Sequence, residues 1–347
     1  MSKATIDDVA KLAGVSIKTV SRVVNNEANV RDATRDRVQH AIETLNYSPN
    51  QSARSLASRR SYLIGLLYDD PSLYEIPSSS YVISIQEGVL KACKSRKYDL
   101  LIHPCFYRDR HIANEIRTLI EHSRLDGLVL APPLSDMTRI LRAIEACGTP
   151  LARVAPGSGG DRHPVVRTND REIAAQMTRY LASLGHERIA FITGHEDHKA
   201  VANRYLGYED GMRESRLKLQ ERLVCAGDNS FKSGERCAMR LLKGRSPPTA
   251  IFASNDDMAA GVIRMARQLG LSVPEDLSVA GFDDIPLAQQ VCPSLTTVSQ
   301  PLAEMAELAT TMLIDELEGS SGSAGPSCIE ASLVFRESTG PAPGSGA

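Results

Sequence analysis

Residues 15–26 read VSIKTVSRVVNN, and this stretch decides the architecture of the N-terminal part of the chain. At helical spacing its side chains divide into two faces. One face is partly apolar and partly cationic, with Ile17, Lys18, Ser21, Arg22 and Asn25. The other is apolar, with Val20, Val23 and Val24. The first face therefore has the character of a contact surface, and the second belongs to a core.

The flanking residues complete a three-helix unit. The segment TIDDVAKLA, residues 5–13, begins with Thr5 as N-cap and has Asp8 three residues on, which is a capping pattern. Gly14 ends this helix, and a third helix is predicted over 32–45. Two short helices joined by a tight glycine-containing turn, with a third closing the core, indicate a helix-turn-helix unit.

Composition and charge limit the class of protein. With 42% hydrophobic and 24% charged residues among 347, the chain is typical of a soluble globular protein. It lacks both an apolar run long enough for a membrane span and a secretory signal, so we expect a cytoplasmic protein with no membrane partner. Residues 1–60 hold ten Lys/Arg against six Asp/Glu, whereas the remaining residues hold thirty against thirty-six. A basic head on an acidic body indicates that the head binds a polyanion.

A short connector follows the head. In NYSPNQSARSLASRR, residues 46–60, Pro49 ends the preceding structure and a segment of about two helical turns follows. A helix this short is marginal in water, because nucleation outweighs so few propagating bonds. We expect it to become ordered only when a partner binds it.

From Tyr62 onward, short apolar runs alternate with amphipathic helices, the rhythm of βαβ units on parallel sheets. Strands are predicted at 62–67, 98–103, 127–131, 188–193, 249–253, 277–281 and 332–336. Helices are predicted near 81–96, 109–123, 171–184, 200–215, 232–243 and 257–269. Residues 162–170 are interpreted as a crossing between two doubly wound lobes. The predicted organisation is an all-α head at 1–48, a hinge at 49–60 and an α/β body at 61–340, with a first lobe at 61–164 plus 297–323 and a second at 165–296 plus 324–340.

The second helix of a helix-turn-helix enters the major groove of DNA. Lys18 and Arg22 can donate to guanine O6 and N7, and Ile17 can pack on a thymine methyl. Ser16, Thr19, Ser21 and Asn25 suit phosphate contacts that fix the register. The alternative is an ordinary solvated helix face, against which the basic charge of the head and the turn geometry argue.

The run TIDDVAKLAGVSIKTVSRVVNN (5–26), followed by TRDRVQHAIETLNYSPNQSARSLASRRS (34–61), strongly resembles the head of the lactose-repressor family of bacterial transcription regulators. The resemblance extends along nearly the whole chain. It implies a homodimer on a pseudo-palindromic operator, with a hinge helix at 50–58 that folds on DNA and inserts side chains into the minor groove. The implied DNA-binding residues are Thr5, Ser16, Ile17, Lys18, Thr19, Ser21, Arg22, Asn25, Tyr47, Asn50, Ala53, Arg54 and Leu56.

For the body, the resemblance implies two parallel-sheet lobes like those of a periplasmic sugar-binding protein, with the ligand at the carboxyl ends of the strands. An arginine and an aspartate on facing loops can bind the vicinal hydroxyls of a sugar or a small acid. The candidate effector-binding residues are Asp69, Tyr81, Arg153, His198, Arg204, Phe231, Asn255 and Asp283. Structural alternatives stay open: Arg204 as a surface cation, Asn255 and Asp256 as a helix cap, and His195 and His198 as merely polar loop residues.

Departures from the family pattern leave the effector open. Asn229 stands where many members have an aromatic residue, and Phe231 is expected to substitute for it. Ala155 stands where some relatives have an acid, and Arg153 is expected to face the cleft instead. The loop that supplies Asp69 and Tyr81 differs in length from that of common members. We expect a sugar that releases the protein from its operator, with a purine or another corepressing metabolite as the alternative.

The sequence argues against two other classes of protein. An enzyme lacks support, since no GxGxxG follows the first strand and no Walker loop or Gly-x-Ser-x-Gly elbow is present. A secreted periplasmic binding protein is disfavoured by the basic head. No metal or cofactor is predicted, because Asp256, Asp257, Asp283 and Asp284 lack the spacing of a cation loop, and the seven cysteines contain no Cys-x-x-Cys pair. The cysteines are predicted to be small buried apolar residues.

Overall fold

The computed structural model describes residues 4–24, 29–47, 60–69, 80–158, 162–320 and 325–344. The chain divides into two compact units, a head of Met1–Tyr62 and a body of Leu63–Ala347. The predicted hinge segment at 50–58 lies outside the described residues.

The head is built from three helices, α1 (Ile6–Ala13), α2 (Ile17–Val24) and α3 (Asp32–Thr44). At the start of α1, Thr5 accepts from the Asp8 backbone N–H while the Asp8 side chain accepts from the Thr5 backbone N–H, which confirms the predicted capping box. Gly14 ends α1 at φ 62°, in the left-handed region that favours glycine. The helices share one apolar core, formed by Val9, Ala10, Ala13, Val20, Val23, Val38 and Ala41. The helix-turn-helix prediction is confirmed.

The body contains short strands separated by helices. The strands are β1 (Leu63–Asp69), β2 (Asp99–Cys105), β3 (Gly127–Leu130), β4 (Leu151–Val154), β5 (Val165–Arg167), β6 (Ile189–Thr193), β7 (Val224–Ala226), β8 (Ala250–Ala253), β9 (Ser278–Ala280), β10 (Thr297–Ser299), β11 (Ser327–Cys328) and β12 (Ser332–Val334). The helices are α4 (Ser80–Ser95), α5 (Ile112–Ser123), α6 (Thr138–Ala146), α7 (Asp170–Ser183), α8 (Lys199–Glu214), α9 (Phe231–Leu242), α10 (Asp256–Gln268), α11 (Leu287–Gln290) and α12 (Leu302–Glu318). The predicted elements are confirmed within a few residues. The elements that were not predicted are the helices α6, α11 and α12 and the strands β4, β5, β7, β10 and β11.

Two parallel sheets define two lobes. Six of the described strands form the first sheet, in the order β11, β5, β4, β3, β1, β2, and four form the second, in the order β7, β6, β8, β9. Successive side chains of β8 point to opposite faces of the second sheet, and both faces are buried. Ile251 and Ala253 belong to one buried apolar cluster, and Ala250 and Phe252 belong to another. Burial on both faces explains why such strands are continuous apolar runs.

The chain passes between the lobes at three places in the described residues: from β5 to α7, from β10 to α12, and from β11 to β12. The predicted lobe boundaries need correction here. β5 belongs to the first sheet, so the first lobe continues past residue 164. β11 pairs with β5 in the same sheet, although it lies in the range assigned to the second lobe. β10 pairs with β12 and its Val298 packs in a second-lobe core, so the return to the first lobe comes after residue 299.

No helix in the described ranges is both long enough and apolar enough to cross a membrane.

Candidate functional site

A cavity of about 440 Å³ opens in the body, within the range usual for small-molecule sites. Its wall includes residues at or just beyond the carboxyl ends of strands from both sheets. Asp69 ends β1, His195 follows β6, Asp228 follows β7, Asn255 follows β8 and Asp283 follows β9. Parallel strands direct their carboxyl ends to one edge, which is why residues far apart in sequence meet here.

Six of the eight predicted effector-binding residues line this cavity: Asp69, Tyr81, His198, Arg204, Asn255 and Asp283. Arg153 and Phe231 do not.

Arg204 is the central cation of the wall and is only 5% exposed, so it is not a surface cation. Its Nε donates to Asp170 Oδ1 at 2.8 Å, and its Nη1 donates to the Ser254 carbonyl at 2.5 Å and lies 3.4 Å from Asp283 Oδ1. The guanidinium carbon also lies 3.8 Å from the centre of the Phe282 ring. Burial disfavours the charge, but Asp170 and Asp283 outweigh it and raise the pKa of Arg204.

Asp283 faces Arg204 on a strained turn. Its φ of 116° lies in a region that a side chain rarely adopts, and such strain is often kept at functional sites. Its Oδ1 accepts from Gln300 Nε2 at 2.6 Å. Burial raises the pKa of Asp283 to about 7, even though Arg204 opposes that change. The carboxyl can therefore exchange a proton near neutral pH.

Asn255 both caps a helix and forms part of the wall. Its side-chain oxygen accepts from the Met258 N–H at the start of α10, and its Nδ2 donates to the Asn229 carbonyl at 2.9 Å. Capping and cavity lining thus occur together at this residue.

Two further wall residues carry polar groups that are kept neutral. Burial lowers the pKa of His198, and the neighbouring His195 adds to the effect. Burial raises the pKa of the Tyr81 hydroxyl, with a further contribution from Asp283. Both can exchange hydrogen bonds with a ligand without adding charge.

Arg153 does not face the cavity, and the prediction that it does is wrong. Its guanidinium is 3% exposed and donates to the Ser135 and Ser158 carbonyls and to Asp136 Oδ1. Asp136 also accepts from the backbone N–H groups of Gly157 and Ser158. Arg153 and Asp136 therefore fix the turn after β4.

Phe231 does not line the cavity either, although it was predicted to do so. It is the first residue of α9, and Arg264 lies over its ring at 5.8 Å. Asn229 lines the cavity instead. The Asn229 side-chain oxygen accepts from the His195 N–H at 3.2 Å, so this residue ties two loops of the wall together.

The sequence prediction missed Arg108 and Asp228, although both follow strand ends, as does Asn255, which the family resemblance supplied. Arg108 lies beside a contact between the lobes: its Nε donates to Tyr107 Oη at 3.1 Å, and Tyr107 Oη donates to Asp197 Oδ2 at 2.8 Å. The first and second lobes are thus joined at the rim of the cavity.

The remaining acids have structural partners. Asp256 accepts from Thr297 Oγ1 at 2.5 Å and from the Ile285 N–H at 2.9 Å. Burial raises its pKa well above the ordinary value. Asp284 pairs with Arg336 at 2.7 Å. These carboxylates hold the β9 turn against neighbouring segments.

In the head, α2 presents the predicted faces. Ile17 is 46% exposed, whereas Val20 and Val23 are buried. Lys18 is exposed, and Arg22, Thr19 and Ser21 are half-buried. Ser16 has a structural use, because its Oγ accepts from the Thr19 N–H at 3.2 Å. Tyr47 packs on the head core. Asn25, Asn50, Ala53, Arg54 and Leu56 lie outside the described residues.

A helix-turn-helix head with a cationic face, in one chain with a two-lobed body that encloses a polar cavity, defines a DNA-binding transcriptional regulator with a small-molecule sensor. The chain belongs to the lacI family of bacterial regulatory proteins, whose model matches residues 5–50, while a model of a periplasmic binding protein-like domain matches residues 178–339.

Several of its relatives are named as repressors. It is 34% identical to the ribose operon repressor of Escherichia coli, over 90% of this chain and 93% of that protein. It is 32% identical to the HTH-type transcriptional repressor PurR of Vibrio atlanticus, over 91% of this chain and 92% of that protein. The fold matches a crystal structure of the lac repressor dimer bound to operator and the anti-inducer ONPF, with a TM-score of 0.76 and 26% identity over 98% of this chain and 100% of that chain.

Proposed function

We propose that the protein is a cytoplasmic, non-enzymatic repressor that binds a pseudo-palindromic operator as a homodimer and is released by a sugar bound in the body. The observation that carries the proposal is the opposed pair Arg204 and Asp283, buried in the cavity wall. A guanidinium that donates and a carboxylate that accepts can both satisfy adjacent hydroxyl groups, as a polyol requires.

The charge and shape of the wall favour a neutral polyol. Among the described lining residues, Asp69, Asp228 and Asp257 supply carboxylates, and Asp283 adds a carboxyl that is partly ionised at neutral pH, against the two guanidiniums of Arg108 and Arg204. An anionic ligand would meet repulsion there. Tyr81 is the single Phe, Tyr or Trp residue among the described lining residues, so stacking against a planar purine has less support than hydrogen bonding to hydroxyls. The name of the ribose operon repressor agrees with a small sugar.

Dimerisation is supported by exposed apolar side chains on the first lobe. Ile83 and Leu90 on α4 are 47% and 40% exposed, and Ile102 on the edge strand β2 is 43% exposed. Phe106 follows β2 and is 40% exposed. A second copy of the chain would remove these groups from water.

Sugar binding would act through the hinge. We propose that a change in lobe closure alters the spacing of the two hinge segments in the dimer, and so shifts the equilibrium between folded and unfolded hinge helices. A ligand can move such an equilibrium only by its difference in affinity between the two states. The head residues Lys18 and Arg22 would read bases, and Leu56 would enter the minor groove.

The test is a thermal-shift screen of the full-length protein against D-ribose, other monosaccharides, disaccharides and nucleobases. A ligand at a hundred times its dissociation constant adds about 2.7 kcal/mol of stability, which is readily measured. Asp283→Asn should abolish the shift, whereas Asp210→Asn, a change on α8 outside the cavity lining, should preserve it.

The next experiment tests whether the ligand weakens or strengthens operator binding. It uses operator DNA that the full-length protein selects from random sequence. The proposal requires that the stabilising sugar weaken operator binding. A sugar that strengthens operator binding would show corepression. If nucleobases alone stabilise the protein, the effector is a purine and not a sugar. Unchanged operator affinity with a bound ligand would refute the switch.

A further inference from the structure

Two cysteine thiols meet in the wall of the second lobe. Cys225 lies on β7, the edge strand of the second sheet, and Cys237 lies on α9, which packs against that strand. Both belong to one buried cluster and are 5% and 3% exposed. The Cys237 thiol donates to the carbonyl oxygen of Ala226 at 3.4 Å, and because Ala226 directly follows Cys225, the two cysteines are close neighbours.

The surroundings distinguish Cys225 from the other buried cysteines. Burial raises the pKa of Cys93 and of Cys105, as expected for inert core thiols. At Cys225 the interaction with the neighbouring Cys237 thiol lowers the pKa despite burial, and the guanidiniums of Arg240 and Arg236 contribute in the same direction. Arg240 is held close, since its Nη2 donates to the Val224 carbonyl at 2.5 Å.

We propose that Cys225 and Cys237 are a redox modification site, which peroxide converts to a reversible disulfide. The Cys225 thiolate attacks one oxygen of hydrogen peroxide, the O–O bond breaks, and a sulfenic acid and water result after protonation. The Cys237 sulfur then attacks the Cys225 sulfur, the S–S bond forms, and the hydroxyl group leaves with the Cys237 proton as a second water. Two thiols are oxidised and one peroxide is reduced to two waters.

The segment enclosed by the disulfide contains part of the cavity wall. Asp228, Asn229 and Ser230 line the cavity and lie in the loop between β7 and α9. A disulfide requires the sulfurs to approach to about 2.05 Å, closer than two separate thiols can lie. Drawing α9 toward β7 displaces the loop that carries Asn229, whose hydrogen bonds to His195 and Asn255 shape the wall. Oxidation is therefore expected to change ligand affinity, a consequence that rests on the proposed function.

The test uses the full-length protein exposed to hydrogen peroxide, with the remaining thiols blocked by N-ethylmaleimide before digestion and mass spectrometry. The expected product is a pair of peptides joined through Cys225 and Cys237, lighter by two hydrogen atoms and separated by dithiothreitol. The exposed Cys292 and Cys328 serve as internal controls for the oxidant. If they are oxidised while Cys225 and Cys237 both remain free thiols, the proposal is overturned.

Two variants test whether the disulfide depends on Cys237. Cys292→Ser should retain the disulfide, whereas Cys237→Ala should stop the reaction at a sulfenic acid on Cys225, detected with dimedone. The effect on the cavity is measured separately, as the thermal shift given by D-ribose to the reduced and oxidised proteins. Failure of D-ribose to bind either form would count against the proposed sugar, whereas the cross-linked peptide decides the disulfide independently.

Discussion

Replacing Asp283 by asparagine should flatten the dependence of stability on pH. Burial raises the pKa of this carboxyl from an ordinary value of 3.8 to about 7. Between these values the folded protein holds a proton that the unfolded chain has released, so the free energy of unfolding falls as the pH rises. A difference of about three pH units, at about 1.4 kcal/mol each, gives a loss of about 4 kcal/mol between pH 4 and 8. Asp283→Asn removes this contribution, and the side-chain oxygen of asparagine can still accept from Gln300.

The assay is urea denaturation of the full-length protein at intervals from pH 4 to pH 8, because the contribution of Asp283 is complete below about pH 4 and is lost as the pH passes 7. Asp210→Asn is the matched control. Hydrogen bonding from Arg171 lowers the pKa of Asp210 to about 2, so its stabilising effect is lost only on acidification below this window. Equal slopes for Asp283→Asn and the unaltered protein would refute the assignment of a proton to Asp283.

Three further outcomes are expected. Val20→Ala removes buried methyl groups from the head core and should cost about 2 kcal/mol, measured by thermal unfolding, and should weaken binding to all DNA sequences alike. Lys18→Ala and Arg22→Ala should instead relax base preference by about 1–3 kcal/mol for each lost bidentate contact, and equal losses on specific and random DNA would contradict that role. Arg153→Met leaves the buried Asp136 without its cationic partner and should lower the free energy of unfolding, measured in urea, by about 3–5 kcal/mol, while ligand binding per folded molecule is retained.

The head could be predicted from sequence because its determinants are local. Thr5 with Asp8, the turn at Gly14, and the valines of α2 at helical spacing fix the three helices within a few dozen residues. In the body the family resemblance supplied the candidate residues, and their places at strand ends explain why they meet. Asn255 and Asp283 follow apolar runs, and parallel topology alone brings them together.

Arg153 is a residue whose partner the sequence pattern could not predict. A cation in an apolar strand must have a partner, but alternation does not reveal whether this partner is a ligand or an acid such as Asp136 on another segment. The strands β5 and β11 were misassigned for a related reason. β5 has three residues and β11 has two, too few to show an alternating apolar pattern. Their pairing also depends on contacts between residues distant in sequence.

The interleaving of the lobes has a consequence for biosynthesis. The helix α12 packs on α4, β3, β4 and β5 of the first lobe, and β11 completes the order of that sheet. A nascent chain emerging from the ribosome therefore exposes the apolar face that α12 covers until translation has passed residue 318. Premature termination between 168 and 318 would leave that face open to aggregation, and no single cut in the gene separates the two lobes.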